Sequence, residues 1–233
     1  MTTVNGATVL VTGGQRGLGR AFVRELLEAG AAKVYATART PVAESDPRIV
    51  PLALDVTDED SVTALARATG DVTVVISNAG AYNGDPLTEV AMDDVKAVFD
   101  ANVFGALRIA QAYAPILAGN GGGALVNIHS VLSWLAGSGA YGATKAALWS
   151  ISNSLRLELA PRGTQVLGVH LGYTDTDMTA GLDVVKNDPR DVARDVLAAL
   201  ERGESEVLVD DVTRHFKALL SGPVEGLGLP VAV

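Results

Sequence analysis

Tyr141 and Lys145 are a pair of side chains whose spacing suits proton transfer. They lie four residues apart in the segment Tyr-Gly-Ala-Thr-Lys, so on a helix they project from one face, one turn apart. A free tyrosine has a pKa near 10 and is a poor base at neutral pH. An ammonium about 4 Å away favours the phenolate by about 4 kcal/mol at an effective dielectric of about 20. We therefore expect Lys145 to lower the pKa of Tyr141, and Tyr141 to act as general acid and base.

Ser130 supplies a hydroxyl that could work beside this tyrosine. It follows the apolar run 124–128, which predicts a buried strand, and doubly wound sheets bind ligands at the carboxyl ends of their strands. The hydroxyl could steady a substrate carbonyl oxygen while the tyrosine donates a proton. Ser133 and Ser138 lie nearby and leave open which serine faces the substrate, although Ser130 is the best placed. His129, just before it, is more typical of a structural histidine.

A glycine-rich segment at residues 12–19, Thr-Gly-Gly-Gln-Arg-Gly-Leu-Gly, separates an apolar run from a helical pattern. Glycines at such a turn let the main chain approach a pyrophosphate, and the helix that follows aims its positive N-terminus at the charge. This context predicts a dinucleotide site. Its contacts within the segment are expected from Gly13, Arg16, Gly17, Leu18 and Gly19.

The end of the second predicted strand favours NADP(H) over NAD(H). An NAD site usually has Asp or Glu there to hold the ribose 2′-hydroxyl, whereas this chain reads Thr37-Ala38-Arg39. The Arg39 guanidinium would pair well with a 2′-phosphate, and Arg16 can reach the same group. The alternative is that both arginines are solvated surface charges.

Alternation of β-rich runs with helical patterns predicts how these residues are brought together. We expect an α/β, Rossmann-like, doubly wound parallel sheet of about seven strands with helices on both faces, a three-layer sandwich. One NADP(H)-binding domain should span residues 1–233, with 221–233 a loosely held tail. The predicted strands are 8–12, 33–38, 49–55, 72–77, 124–128, 165–170 and 206–209, and the predicted helices 20–29, 58–68, 92–117, 141–159 and 191–200.

Composition excludes several classes of function. The 233 residues carry 18 Lys and Arg against 27 Asp and Glu, a net charge of −9, which argues against nucleic-acid binding. There is no cysteine, so disulfides and thiolate chemistry are excluded, and no metal site is expected. Residues 109–144 lack Asp, Glu, Lys and Arg, but Pro115 and the glycines at 121–123 interrupt them, so no membrane span is predicted. The N-terminus lacks a signal-peptide pattern, and we expect a cytoplasmic protein.

Taken in order, these motifs resemble those of the short-chain dehydrogenase/reductase family, in its compact single-domain branch. The resemblance runs from Val9 to about Val209. Its markers are Thr12-Gly13-x-x-x-Gly17-x-Gly19, Asp55-Val56, Asn78-Ala79-Gly80, Asn102, Ser130 and Tyr141-x-x-x-Lys145.

The resemblance implies roles for residues that spacing alone does not assign. By it, Asp55 and Val56 hold the adenine, Asn78, Ala79 and Gly80 pack beneath the cofactor, and Asn102 distorts its helix and holds a water that relays protons to Lys145. Lys145 also binds the nicotinamide ribose, and Thr174 and Thr176 contact the carboxamide. Where the family commonly has proline after the sixth strand, this chain has Leu171. The helices at 92–117 and 141–159 match those that pair subunits, which implies a homodimer or homotetramer.

The function that these inferences favour is NADP(H)-dependent interconversion of a carbonyl and an alcohol. Tyr141 would exchange the proton, Ser130 would position the oxygen, and the substrate would be a small, apolar carbonyl or alcohol. Trp134 and Tyr173 could form an apolar substrate wall, or could equally be loop packing. The alternative function is a regulatory protein that senses NADPH without turnover.

Overall fold

The fold is built on seven parallel strands in the order β3-β2-β1-β4-β5-β6-β7. The structure, a computed structural model, describes residues 2–228. This Rossmann-like sheet is the one predicted. Its strands are β1 (Thr8–Val11), β2 (Lys33–Ala38), β3 (Ile49–Ala53), β4 (Val74–Ser77), β5 (Gly123–Ile128), β6 (Thr164–His170) and β7 (Glu206–Leu208).

Helices cover both faces of the sheet, and a separate apolar core lies between each face and its helices. On one face, α1 and α6 pack with Phe22, Leu26 and Leu200; on the other, α2, α4 and α5 pack around Ile109 and Tyr113. The helices are α1 (Gly17–Glu28), α2 (Glu59–Ala68), α3 (Met92–Phe99), α4 (Gly105–Gly119), α5 (Gly139–Leu159), α6 (Pro189–Glu201) and α7 (Asp211–Ala218). None of the helices within residues 2–228 has the length and apolar character required to cross a membrane.

In the sequence the strands are continuous apolar runs, because both faces of the sheet are buried in the structure. In β1, Val9 and Val11 face the α1/α6 core, whereas Leu10 faces the opposite core. Pro51, unusual for an interior strand, is accommodated because β3 is at the edge of the sheet, where a missing amide hydrogen costs no ladder bond.

Two differences from the sequence prediction lie in the C-terminal region. Helix α7 was not predicted; Asp210 caps it by accepting from the Thr213 amide at 2.8 Å. In the predicted loose tail, Leu227 is held in place: the Ala136 amide donates to its carbonyl at 2.8 Å, and its side chain packs against a buried apolar cluster, whereas residues 221–226 are exposed. The rest of that prediction, 229–233, lies outside the described residues.

The strand order reverses between β1 and β4, which lie side by side. In an open parallel sheet, the crevice at such a reversal is where ligands bind, at the carboxyl ends of the strands. The glycine segment, residues 12–19, follows β1, and Asn78 follows β4. The topology therefore brings both motifs to one edge.

Candidate active site

Thr12 joins the two strand ends at the reversal. Its hydroxyl oxygen accepts hydrogen bonds from the amides of Asn78 and Ala79, each at 2.9 Å. The Asn78 side-chain amide in turn donates to the Thr12 carbonyl at 2.9 Å. These bonds fix the glycine segment against residues 78–80, which were expected to lie beneath the cofactor.

The glycine segment leaves room at the start of α1 for a phosphate group. Gly13 and Gly17 have φ of 66° and 50°, the left-handed region that glycine adopts without strain. A Cβ on Gly19 would lie 2.1 Å from the Gly13 carbonyl oxygen, so the turn closes only with glycine there. No side chain among residues 2–228 caps the first turn of α1, and its amide hydrogens fit the pyrophosphate of a dinucleotide.

Beside this turn, Arg16 and Arg39 are both exposed. Asp55, expected near the adenine, follows β3 and accepts from the Thr57 amide at 2.9 Å and the Thr57 hydroxyl at 2.7 Å. These bonds, together with the charge of Arg39, hold the pKa of Asp55 below its usual value. Val56 packs against the start of α4, where a Cβ on Gly105 would lie 2.8 Å from its Cγ2.

On the other side of the reversal, the structure brings Ser130, Tyr141 and Lys145 together. The Ser130 side chain lies close enough to the Tyr141 hydroxyl to lower its pKa, and the Ser130 Oγ accepts from the Leu132 amide at 3.1 Å. The Lys145 ammonium donates to the Ile128 carbonyl at 2.8 Å and lies 5.5 Å from the centre of the Tyr141 ring. A serine, a tyrosine and a lysine thus meet at the end of β5.

The geometry also separates Ser130 from the two neighbouring serines. Ser133 is buried, and its hydroxyl has no hydrogen-bond partner among the described residues. Ser138 donates to the Leu135 carbonyl at 3.5 Å, within its own loop. Of the three serines, Ser130 is the one whose side chain acts on the pKa of Tyr141, and its role toward a substrate stays a prediction.

The pKa of Tyr141 differs from the sequence expectation. Burial raises it above its usual value, the neighbouring Tyr82 adds to the rise, and the nearby Ser130 side chain only partly opposes them. The same burial lowers the pKa of Lys145 to about 8. The pKa of Tyr141 is thus raised rather than lowered in this structure, because burial disfavours the charged phenolate, and Lys145 donates to the Ile128 carbonyl instead.

Tyr82 is a neighbour whose contact with Tyr141 was not predicted. The two rings are tilted by 60° with their centres 5.1 Å apart, and the Tyr141 amide donates to the Asn83 carbonyl at 3.3 Å. Tyr82 is 56% exposed, so it covers one side of the site without closing it.

Asn102 lies in a helix distortion, as expected. Residues Asp100–Phe104 form a π-helical turn between α3 and α4. The Asn102 side chain accepts from the Ala81 amide at 2.8 Å and donates to the Ala81 carbonyl at 2.9 Å. It also donates to the Thr144 hydroxyl at 3.0 Å, and Thr144 donates to the Tyr141 carbonyl at 2.7 Å. The link through Thr144 was missed, although Thr144 directly precedes Lys145.

Comparison with known proteins decides the family of this site. The family profile described as short chain dehydrogenase matches residues 7–186. The chain belongs to the short-chain dehydrogenase/reductase family. Members of this family are oxidoreductases that use nicotinamide dinucleotides, and the glycine segment of this chain fits the pyrophosphate of such a cofactor.

Individual relatives agree with this assignment. The chain is 32% identical over 230 residues to an uncharacterised oxidoreductase of Staphylococcus aureus, covering 91% of this chain and 98% of the relative. A short chain dehydrogenase from Burkholderia cenocepacia, solved in complex with NADP, superposes with a TM-score of 0.92, 34% identity and 97% coverage of both chains. A gluconate 5-dehydrogenase from the same species, in complex with NADP and tartrate, gives 0.79, 25% identity and coverage of 88% and 94%.

The loop after β6, which short-chain dehydrogenases place over the nicotinamide, reaches the glycine segment here. A Cβ on Gly17 would lie 3.4 Å from Thr176, while Thr174 is buried. Leu171, at the position of the usual proline, fills the α1/α6 core. Asp210, which sequence reasoning missed, secures the loop by accepting from the Gly172 amide and the Asn187 side chain, both at 2.7 Å.

The two residues proposed for a substrate wall have different surroundings. Trp134 is only 8% exposed and stacks on His170, with ring centres 4.2 Å apart and planes at 20°. It therefore takes the packing role that the sequence left open, rather than facing a substrate. Tyr173 is 39% exposed and remains available.

Proposed function

We propose that this chain is an NADP(H)-dependent reductase or dehydrogenase that interconverts an aldehyde or ketone with its alcohol. The observation that carries the proposal is the meeting of Ser130, Tyr141 and a buried Lys145 at the end of β5, where the Lys145 ammonium lies 5.5 Å from the centre of the Tyr141 ring, at the same sheet edge as the glycine segment. Two hydroxyls that converge on one point can hold one substrate oxygen, which is what carbonyl chemistry requires.

Tyr141 is the proton donor in the direction of carbonyl reduction, and burial holds its pKa above the usual value. At neutral pH its hydroxyl keeps its proton, so it can donate to a substrate oxygen that gains negative charge. The bound cofactor would supply the hydride for reduction and accept it for oxidation. The Ser130 hydroxyl is the second donor to that oxygen, and its position is fixed by the Leu132 amide.

Lys145 stabilises the tyrosinate left by this proton transfer. Its pKa of about 8 leaves it mostly charged at pH 7, and low-dielectric surroundings strengthen its attraction to a nearby anion. Asn102 helps to position α5, because its side chain accepts from the Ala81 amide and donates to the Thr144 hydroxyl on that helix. A relay water at Asn102 stays a prediction.

Several observations support NADP(H) as the cofactor. Arg16 and Arg39 are exposed near the start of α1 and the end of β2, where a 2′-phosphate would lie, and guanidinium groups bind phosphate through paired hydrogen bonds. Two structural neighbours were solved with NADP.

The substrate class follows from the open side of the site. The loop after β6 carries several exposed apolar side chains, and Tyr82 is exposed beside Tyr141, which favours a small, apolar carbonyl compound. Those of the loop are Tyr173, Met178, Leu182, Val184 and Val185. Cytoplasmic location and pairing of subunits through the helices at 92–117 and 141–159 also stay predictions.

NADPH oxidation against a panel of aldehydes, ketones, quinones and keto-steroids, with NADH in parallel, tests the proposal. We expect turnover of at least one carbonyl, with kcat/KM for NADPH at least about tenfold above that for NADH, the equivalent of one charged hydrogen bond. NADPH binding without turnover of any panel member would contradict it and favour a sensor of NADPH. Equal use of both cofactors would contradict the assignment of Arg16 and Arg39.

A further inference from the structure

A buried line of polar side chains runs behind Ser130, on the side away from Tyr141. His129 and His170 are 1% and 0% exposed, and their Nδ1 and Nε2 atoms respectively lie 3.1 Å apart. His129 Nε2 lies 2.8 Å from the Ser152 hydroxyl. His170 Nε2 also lies 3.3 Å from a Glu206 oxygen, and Glu206 pairs with Lys217 at 2.7 Å.

The second nitrogen of His170 is directed at the site. Its Nδ1 lies 3.1 Å from the main-chain carbonyl oxygen of Ser130. A carbonyl oxygen only accepts hydrogen bonds, so Nδ1 must carry a hydrogen for this buried contact to be favourable. The residue whose hydroxyl lies near Tyr141 is thus held through its own main chain by a buried imidazole.

We propose that His170 is a positioning residue for Ser130. Its Nδ1–H group donates to the Ser130 carbonyl and fixes the peptide from which the substrate-orienting hydroxyl projects. The proposal rests on the proposed function, because it assigns a purpose to the precise placement of Ser130.

The surroundings of Nε2 leave this donation in place whichever charge His170 carries. If His170 is neutral with its hydrogen on Nδ1, its Nε2 accepts a hydrogen from His129 Nδ1. The Ser152 hydroxyl, which contacts both His129 Nε2 and the Leu148 carbonyl at 2.8 Å, then directs its one hydrogen to His129 Nε2. If His170 is protonated, Nε2–H faces the Glu206 carboxylate instead. In both arrangements Nδ1 keeps its hydrogen. Burial and the neighbouring His170 keep the pKa of His129 well below its usual value, so His129 is neutral in either case.

Two further contacts fix the orientation of the ring and of the segment that it holds. Trp134 stacks on the His170 ring, and this contact restricts rotation of the imidazole about its Cβ–Cγ bond. On the other side of His129, Lys145 donates to the Ile128 carbonyl at 2.8 Å. The carbonyls of residues 128 and 130 are therefore held by Lys145 and His170, so the two side chains share the placement of this strand end.

A matched pair of substitutions separates the two ring nitrogens. In His170→Asn the side-chain amide nitrogen can take the position of Nδ1, whereas in His170→Gln it can take the position of Nε2. We expect His170→Asn to keep kcat within about threefold of the parent and His170→Gln to lower it about tenfold or more, the rate equivalent of one hydrogen bond. The Kd for NADPH should be unchanged in both.

Thermal unfolding of both variants provides the control. A merely structural role would lower Tm and kcat in parallel and would not distinguish Asn from Gln. Equal kcat values for the two variants, at equal Tm, would overturn the proposal.

Nitrogen-15 NMR of the parent tests the proposal independently of turnover. The chain has 3 histidines, and spectra of the His129→Asn and His170→Asn variants assign the signals. We expect His170 to carry a hydrogen on Nδ1, and a ring protonated only on Nε2 would overturn the proposal. A protonated Nδ1 in a parent that turns over no carbonyl would contradict the proposed function alone and leave the His170–Ser130 contact supported.

Discussion

The two halves of the carboxyl edge of this sheet are constructed in different ways. Around the ends of β1 and β2, main-chain geometry sets the surface, with left-handed glycines, an uncapped helix start and exposed arginines. Around the ends of β5 and β6, buried side chains do so, with Lys145, His129 and His170 all at most 6% exposed. We call these the glycine side and the tyrosine side.

This difference matches what each half must do. A phosphate group keeps its charge and needs donors at the surface, so the glycine side can stay in contact with water. A side chain that exchanges a proton needs its pKa set by its surroundings, and burial is the strongest means of doing this. The tyrosine side therefore excludes water from Lys145, at the expense of burying several polar groups that must find partners.

Replacing Tyr141 with Phe should produce the largest effect and show which side carries the chemistry. The change removes one hydroxyl, the group that exchanges the proton, and general acid catalysis contributes about 10²–10⁴ to rate. We expect kcat to fall about a thousandfold, with NADPH binding unchanged because the glycine side is untouched. Stopped-flow NADPH binding and steady-state kinetics measure the two quantities.

Tyr82→Phe is the matched control for that variant. It removes the same atom from the ring that contacts Tyr141, but this hydroxyl has no place in the proposed proton transfer. We expect kcat within about threefold of the parent, a change of less than about 1 kcal/mol in the barrier. A large loss of kcat in Tyr82→Phe, or a small loss in Tyr141→Phe, would contradict the assignment of the proton transfer to Tyr141.

Sequence reasoning worked best on the glycine side. Its requirements are local, because a turn between a strand and a helix must have glycine at fixed positions, and the 12–19 segment displays them. The fold followed from strand–helix alternation in the same way. Helix α7 was missed because it is only eight residues long, although Asp210 and Thr213 form a reciprocal capping box at its start.

Sequence reasoning worked less well on the tyrosine side. The Tyr141–Lys145 spacing located the pair, but the direction of the tyrosine pKa depends on how much of the ring the fold buries, which spacing does not contain. The contact of His129 with His170 joins residues 41 apart in the chain, and no periodic pattern links them. Trp134 was ambiguous for the same reason, since its partner is also His170.

The Glu206 carboxylate, at the outer end of the polar line, should make stability on the tyrosine side depend on pH. Burial opposes its ionisation, but the neighbouring His170 Nε2, 3.3 Å away, and the paired Lys217 outweigh that and lower its pKa from 4.5 to about 2. A carboxyl with a lowered folded-state pKa stabilises the fold fully above its unfolded pKa. This contribution, on the order of 3 kcal/mol for this shift, is lost as pH falls through the folded-state pKa.

Glu206→Gln tests that contribution by urea unfolding at several pH values. We expect the variant to be less stable than the parent at pH 6, and the difference to shrink between about pH 4.5 and 2 as the parent carboxyl is protonated. Glu204→Gln is the control, because Glu204 pairs with Arg202 on the surface and such pairs contribute about 0–1 kcal/mol. A difference between Glu206→Gln and the parent that is constant with pH would mean that Glu206 acts only through packing.

Replacing Arg16 and Arg39 with Ala should give the smallest effect and the opposite kinetic signature. Both side chains are exposed, and each would contribute one charge-assisted contact to a 2′-phosphate. We expect each change to raise KM for NADPH about tenfold or more, with kcat and the KM for NADH unchanged, because the phosphate lies far from the reacting carbon.

Arg162→Ala is the control for general charge effects, since Arg162 is an exposed residue in the turn after α5. It should leave KM for both cofactors unchanged. If it raised KM for NADPH as much as the other two, attraction by overall charge rather than a phosphate contact would explain the effect. If Arg16→Ala or Arg39→Ala lowered kcat instead, the two sides of the edge would be coupled, because a change on the glycine side would then reach the proton transfer at Tyr141.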